Sequence, residues 1–245
     1  MTDLLLFALF ALACEIVGTV GGFGSSILFV PLASLVFPRG LVLGLTSILH
    51  VFSNTSKIIL FRRHIDKKVL LLFGVASIVF TVVGAFLTTA LNETVAEWLL
   101  GSFLVLFSSI FLLVPRIVIP PSRWNAMAGG SLAGFAAGFL GTGGAIRGMS
   151  MAAFNLPKDV FVGTSAAIDF GVDLSRMFIY AGHGFMADAL WSYILVLFMA
   201  SWLGTWLGKL ILERMTQKQF KRTVLLLILV IGLATLAQAA GFLKI

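Results

Sequence analysis

Charge is scarce in this 245-residue chain: Asp, Glu, Lys and Arg together make up 11% of it, and only 10 residues are acidic. An ordinary soluble surface needs roughly a quarter charged residues, so this composition excludes a conventional water-soluble domain. Cysteine is almost missing. Cys14 alone excludes an intrachain disulfide and any cysteine-built metal cluster within one chain. Enzyme signatures are missing too: there is no HExxH pair and no Gly-x-Ser-x-Gly elbow, so the chain is not read as an enzyme. No Gly-Lys-Ser/Thr ending follows either glycine cluster, so a nucleotide-driven pump would need another subunit. The N-terminus lacks the basic region of a signal peptide, Asp3 being its one early charge, and is expected to be a retained membrane segment.

What fills the chain is apolar: 60% hydrophobic residues and a mean hydropathy of +1.09. Long apolar runs occupy Asp3–Phe37, Gly40–Phe61, Val69–Leu91, Val95–Val114, Ala126–Asn155, Val160–Tyr180, Ala189–Leu212 and Val224–Leu243. Most can cross a bilayer, which takes about 20 residues of helix. The net charge of +7 sits mainly in short connections, a topology signal and not a nucleic-acid footprint. By the positive-inside rule, loops 62–68, 116–123 and 213–222 are expected in the cytoplasm of a multi-pass inner-membrane protein. Asn92–Glu97 and Ala181–Asp188, which hold no Lys or Arg, are expected outside. Trp98, Trp124, Trp191, Trp202 and Trp206 include several near predicted segment ends, as expected of interfacial aromatics, and Gly204/Gly208 have the spacing of close helix contacts.

The chain also repeats itself. Gly18, Gly21, Gly22 and Gly24 are echoed by Gly138, Gly141, Gly143 and Gly144. The echo continues through Pro38/Pro157, Gly44/Gly163, Asn54/Asp173, Lys57/Arg176 and His64/His183, at an offset of about 120 residues that slips by one. Two repeats are expected, residues 1–118 and 124–245, with Pro120-Pro121 in the linker. Loop charge then sets a parity problem. From cytoplasmic Arg123 the chain must reach an external Ala181–Asp188 loop through two hydrophobic stretches, so one stretch must contribute an even number of crossings or fold back. Ala126–Asn155, with glycines at its middle, is the one expected to do so. Its counterpart Asp3–Phe37 would span roughly 50 Å as one helix, too long for a single crossing. The expected fold is therefore all-α and integral to the membrane. Each of two inverted repeats would be a broken, re-entrant helical hairpin followed by three transmembrane helices.

At each break a short half-helix begins, Ser25–Phe37 and Ala145–Asn155. Free amide hydrogens and a positive dipole end suit an anion there. Gly22, Gly24, Ser25, Ser26, Gly143, Gly144 and Ala145 are the backbone candidates, and Arg147 in the first turn adds a planar fork of donors. Helix packing is the alternative use of such glycines. In the following helices, residues 50, 54 and 57 and residues 169, 173 and 176 each form one stripe. Asn54, Lys57 and Arg176 are further substrate-binding candidates. His50, Asp169, Asp173 and Glu15 are candidates for a coupling ion, because ionisable groups are expensive inside a membrane. Lys57 has snorkelling to the interface as its alternative, Asp173 an ion pair with Arg176, and His50 a hydrogen-bonded core position.

The doubled glycine-rich segment, followed by Pro and by Gly44-Leu45-Thr46 or Gly163-Thr164-Ser165, resembles the sulfite exporter TauE/SafE family of membrane permeases over essentially the whole chain. Phe23 stands where a plainer glycine run is expected. The resemblance implies alternating-access transport of a small sulfur-containing anion, sulfite or an organosulfonate such as sulfoacetate, commonly out of the cell. The expected partners are that anion and the lipid bilayer, with no nucleic acid, no cofactor and no resident metal; a homo-oligomer is left open. The rival reading is a divalent metal-ion permease with Asp169, Asp173, His50 and Glu15 as ligands, which lacks the dense clustering of a dedicated metal site.

Overall fold

The computed structural model describes residues 2–34, 37, 39–87, 93–140, 143–182 and 191–242. Those residues form α-helices and no strands. The helices are α1 (Thr2–Gly21), α2 (Ser26–Ser34), α3 (Arg39–Leu60), α4 (Lys67–Leu87) and α5 (Glu93–Leu113), then α6 (Arg123–Leu140), α7 (Gly144–Ala153), α8 (Lys158–Gly182), α9 (Trp191–Arg214) and α10 (Gln217–Ala239). Among the described residues, α1, α4, α9 and α10 contain stretches long and apolar enough to cross a membrane.

Local chemistry sets the boundaries. The first long apolar run breaks after Gly21 because Gly22 and Gly24 take φ of 71° and 106°, a region closed to most side chains. The first half-helix is described over Ser26–Ser34, and the second, Gly144–Ala153, is shorter than its apolar run. Asn155, at φ 54°, ends the second in a left-handed turn. Asp66 caps α4 through bonds from the Lys68 and Val69 amides, at 2.9 and 3.0 Å. Thr216 and Gln219 form a capping box that starts α10. Lys158, opening α8, donates to carbonyls at the end of α9, including Met215 O at 2.7 Å, where a cation suits the dipole.

The packing is reciprocal. α1 lies along α9 and α6 along α4, α3 faces α8, and α5 faces α10. Glycine makes the closest approaches. A Cβ at Gly134 would sit 2.1 Å from the Ser77 carbonyl oxygen, and one at Gly204 would sit 2.8 Å from Glu15 Cβ. The expected use of Gly204 and Gly208 as a close-contact face is therefore seen against α1. Polarity runs inside out relative to a soluble fold. Leu5, Leu71, Ile78, Leu195, Met199 and Val230 are exposed, whereas Glu15, Lys57, Arg147 and Asp173 are buried. Lipid, and not water, is the solvent that permits this arrangement.

Candidate functional site

The two helix breaks meet. Phe23, between the paired glycines of the first break, packs its ring over Gly148 of α7, where an added Cβ would lie 2.9 Å from Phe23 Cδ1. Its carbonyl oxygen faces Gly144, at 2.7 Å from the Cβ position there, and accepts a 3.4 Å bond from Arg147 Nη2. The phenylalanine that interrupts the glycine run is thus the piece that locks one break against the other. Beside this contact lies a cavity of about 40 Å³. By volume it holds about three waters, or the oxygens of one small oxyanion. Ser26, Gly143, Gly144 and Arg147 line it from the half-helices, His50 from α3, Ser77 from α4, and Asp169 and Asp173 from α8.

Arg147 is buried, and its guanidinium is committed on two sides. Nε donates to Ser165 Oγ at 2.9 Å, and Nη2 forms an ion pair with Asp169 Oδ2. The fixed positive charge anticipated at the half-helix is therefore compensated by the carboxylate for which the sequence offers no nearby cation. Asp173 belongs to α3's stripe as much as to its own: Oδ2 accepts from Asn54 Nδ2 at 3.0 Å and lies 3.2 Å from His50 Nδ1. The Arg176 side chain, the alternative partner, lies outside the described residues, as does His183.

A second polar centre sits apart from the cavity. Glu15 Oε1 lies 2.7 Å from Lys57 Nζ, with both side chains buried. The carboxylate also accepts from Ser53 at 2.6 Å, Thr19 at 3.0 Å, Ser25 at 3.0 Å and Thr205 at 3.2 Å. This centre joins α1, α3 and α9 with the start of α2. Lys57 is consequently not a snorkelling residue, since its head group points into the protein.

Of the substrate-binding candidates, Ser26, Gly143, Gly144 and Arg147 line the cavity. Gly24 stands next to it, its Cβ position 3.5 Å from His50 Cε1, and Asn54 acts through Asp173. Gly22 packs on Phe161 and Val162, Ser25 turns to Glu15, and Ala145 is buried off the cavity wall. The coupling-ion candidates divide between the two centres, Asp169, Asp173 and His50 in one and Glu15 in the other. Sequence reasoning missed Ser77, Thr19 and Thr205. Each is an isolated hydroxyl in an apolar run, with no periodic signal to single it out. Among the described residues, no group of three or more His, Cys, Asp or Glu side chains is arranged to hold a metal ion.

A lipid-facing exterior, two interrupted helices and a charged cavity between their tips define a polytopic membrane permease. The chain belongs to the sulfite exporter TauE/SafE family, whose model matches residues 6–235. Membership makes it a membrane transporter of sulfite or related anions. No curated protein and no solved structure matches the chain.

Proposed function

We propose that this permease is a secondary transporter that moves sulfite or a small organosulfonate such as sulfoacetate across the inner membrane by alternating access. The observation that carries the reading is the cavity between the two helix breaks, which places Arg147, the start of α7 and the hydroxyls of Ser26 and Ser77 around one volume. Amide hydrogens at Gly143–Gly144 and Gly24–Ser26 and the Arg147 fork would hold the anion's oxygens. Asp169 keeps the Arg147 charge from trapping the anion, as a carrier must release what it binds. Asp173 and Asn54 orient the α3–α8 contact, and Gly22, Ser25, Ala145 and the Glu15–Lys57 pair brace the breaks. Arg176 remains a substrate-binding candidate that would supply positive charge.

Reciprocal helix pairing supports the two-repeat reading, because α1 on α9 and α6 on α4 exchange under a shift of five helices. Opposed orientation of residues 1–118 and 124–245 is inferred from the loop charges, with 62–68, 116–123 and 213–222 facing the cytoplasm. Single cysteines at Ala90 and Ser122 in a Cys14→Ser background should label from opposite sides of the membrane. The metal-ion alternative is disfavoured because Asp169, Asp173 and Glu15 already answer to three different partners, Arg147, His50 and Lys57.

A thermal-stability panel of sulfite, sulfonates, carboxylates and divalent metals tests the substrate class; stabilisation by metals alone would remove the anion reading. In proteoliposomes, Arg147→Ala should abolish uptake of the stabilising anion, and wild-type flux in that variant would take Arg147 out of the site.

A further inference from the structure

We propose that His50 takes up a proton as the anion binds, turning its Nε2 atom into the donor that grips an anion oxygen in the cavity. This rests on the anion-transport reading and adds to it the species carried: one anion together with one proton.

Three observations support it. His50 is 9% exposed and forms part of the cavity wall. Its Nδ1 lies 3.2 Å from Asp173 Oδ2, an oxygen that also accepts from Asn54 Nδ2, and with that carboxylate ionised Nδ1 carries the hydrogen. Its Nε2 is buried and, among the described residues, has no hydrogen-bond partner. A neutral ring with hydrogen on Nδ1 presents a bare lone pair at Nε2. That lone pair repels an oxyanion. A proton on Nε2 converts repulsion into a charge-assisted hydrogen bond.

Among the described residues, the charged groups facing His50 are Asp169 and Asp173 on α8, Arg147 on α7, and, further off, the mutually paired Glu15 and Lys57 on α1 and α3. α2 carries no charged residue, and α9 offers Ser201 and Thr205 on this face, its Lys209 lying over Phe61. With a fully ionised anion the proton comes from hydronium, whose O–H bond breaks to leave water; with a monoprotonated anion it comes from the anion's own oxygen, whose O–H bond breaks to leave the fully ionised form, and in both cases the one bond made is Nε2–H. Release on the far side requires the ring to give the proton up again.

The test uses the full chain in nanodiscs, labelled with ¹⁵N-histidine and carrying His64→Gln and His183→Gln, so that His50 is the one remaining signal of three histidines. Near pH 7.5 the anion-free ring should be neutral with hydrogen on Nδ1. Saturating sulfite, or methanesulfonate, which has no titrating group in this range, should place hydrogen on both nitrogens. Methanesulfonate affinity should fall about tenfold per pH unit above the ring's pKa, a slope that His50→Gln flattens. An unchanged neutral ring with anion bound overturns the proposal while leaving anion transport intact. So does an anion-free ring already doubly protonated, or one protonated on Nε2. Failure of both anions to bind the wild-type chain would remove the transport reading itself, and this inference with it.

Discussion

Replacing either member of the Glu15–Lys57 pair should destabilise the protein strongly, and replacing both should do so far less. The two charges are 2.7 Å apart with both side chains buried, so losing one leaves the other without its counter-charge. Such losses cost about 3–5 kcal/mol. Surroundings decide where in that range each variant falls. Lys57→Met leaves a carboxylate still facing the hydroxyls of Ser53, Thr19, Ser25 and Thr205, so its cost should lie near the lower limit of about 3 kcal/mol. Glu15→Leu leaves an ammonium whose remaining bond, among the described residues, is to Ser53 Oγ, so it should fall near the upper limit of about 5 kcal/mol. Glu15→Leu/Lys57→Met removes both charges at similar volume, and its cost is confined to stranded hydroxyls, about 1–2 kcal/mol. Equilibrium unfolding of the four proteins by SDS titration in mixed micelles measures all three differences. If the double variant costs the sum of the singles to within about 0.5 kcal/mol, the residues do not act as a pair and the reasoning fails.

Asp169→Asn frees the Arg147 guanidinium, so it should bind sulfite at least about tenfold more tightly, equivalent to about 1.4 kcal/mol, yet exchange it more slowly. Calorimetry together with proteoliposome counterflow reads both effects; unchanged affinity would show that the ion pair does not govern the site. Gly134→Ala should lower the unfolding midpoint, because the new methyl meets the Ser77 carbonyl oxygen at 2.1 Å. Gly171→Ala, whose added Cβ would meet nothing within 4 Å among the described residues beyond its own helix, should be neutral or stabilising by up to about 1 kcal/mol. Equal effects of these two substitutions would contradict the packing described for α6 on α4.

The interruption at the first glycine cluster was legible because its break uses positive φ, which Gly22 and Gly24 supply. The stripes on α3 and α8 were legible because helical period is local. Which stripe residue meets which partner was not. Asp173 has Arg176 three places along its own helix and His50 across the α3–α8 contact, and nothing local ranks the two. Lys57 has no acidic neighbour in sequence, so its burial against Glu15 depends on how α1 and α3 come together. Arg147 reads as a free cation until α7 is placed beside α8 and Asp169 neutralises it. Ser77 and Thr205 show the same limit for hydroxyls, which gain meaning when a second helix brings a cavity or a carboxylate to them.

Because α1 is sheathed by α9 and α6 by α4, neither repeat carries its own lining. A polypeptide stopped at Pro120 would offer the bilayer a first helix whose snug glycine-faced mate has not yet been made. Two separately encoded fragments should regain a working carrier when produced together, and each should be cleared by the cell when produced alone. That outcome would make the two halves obligate partners that share one backbone.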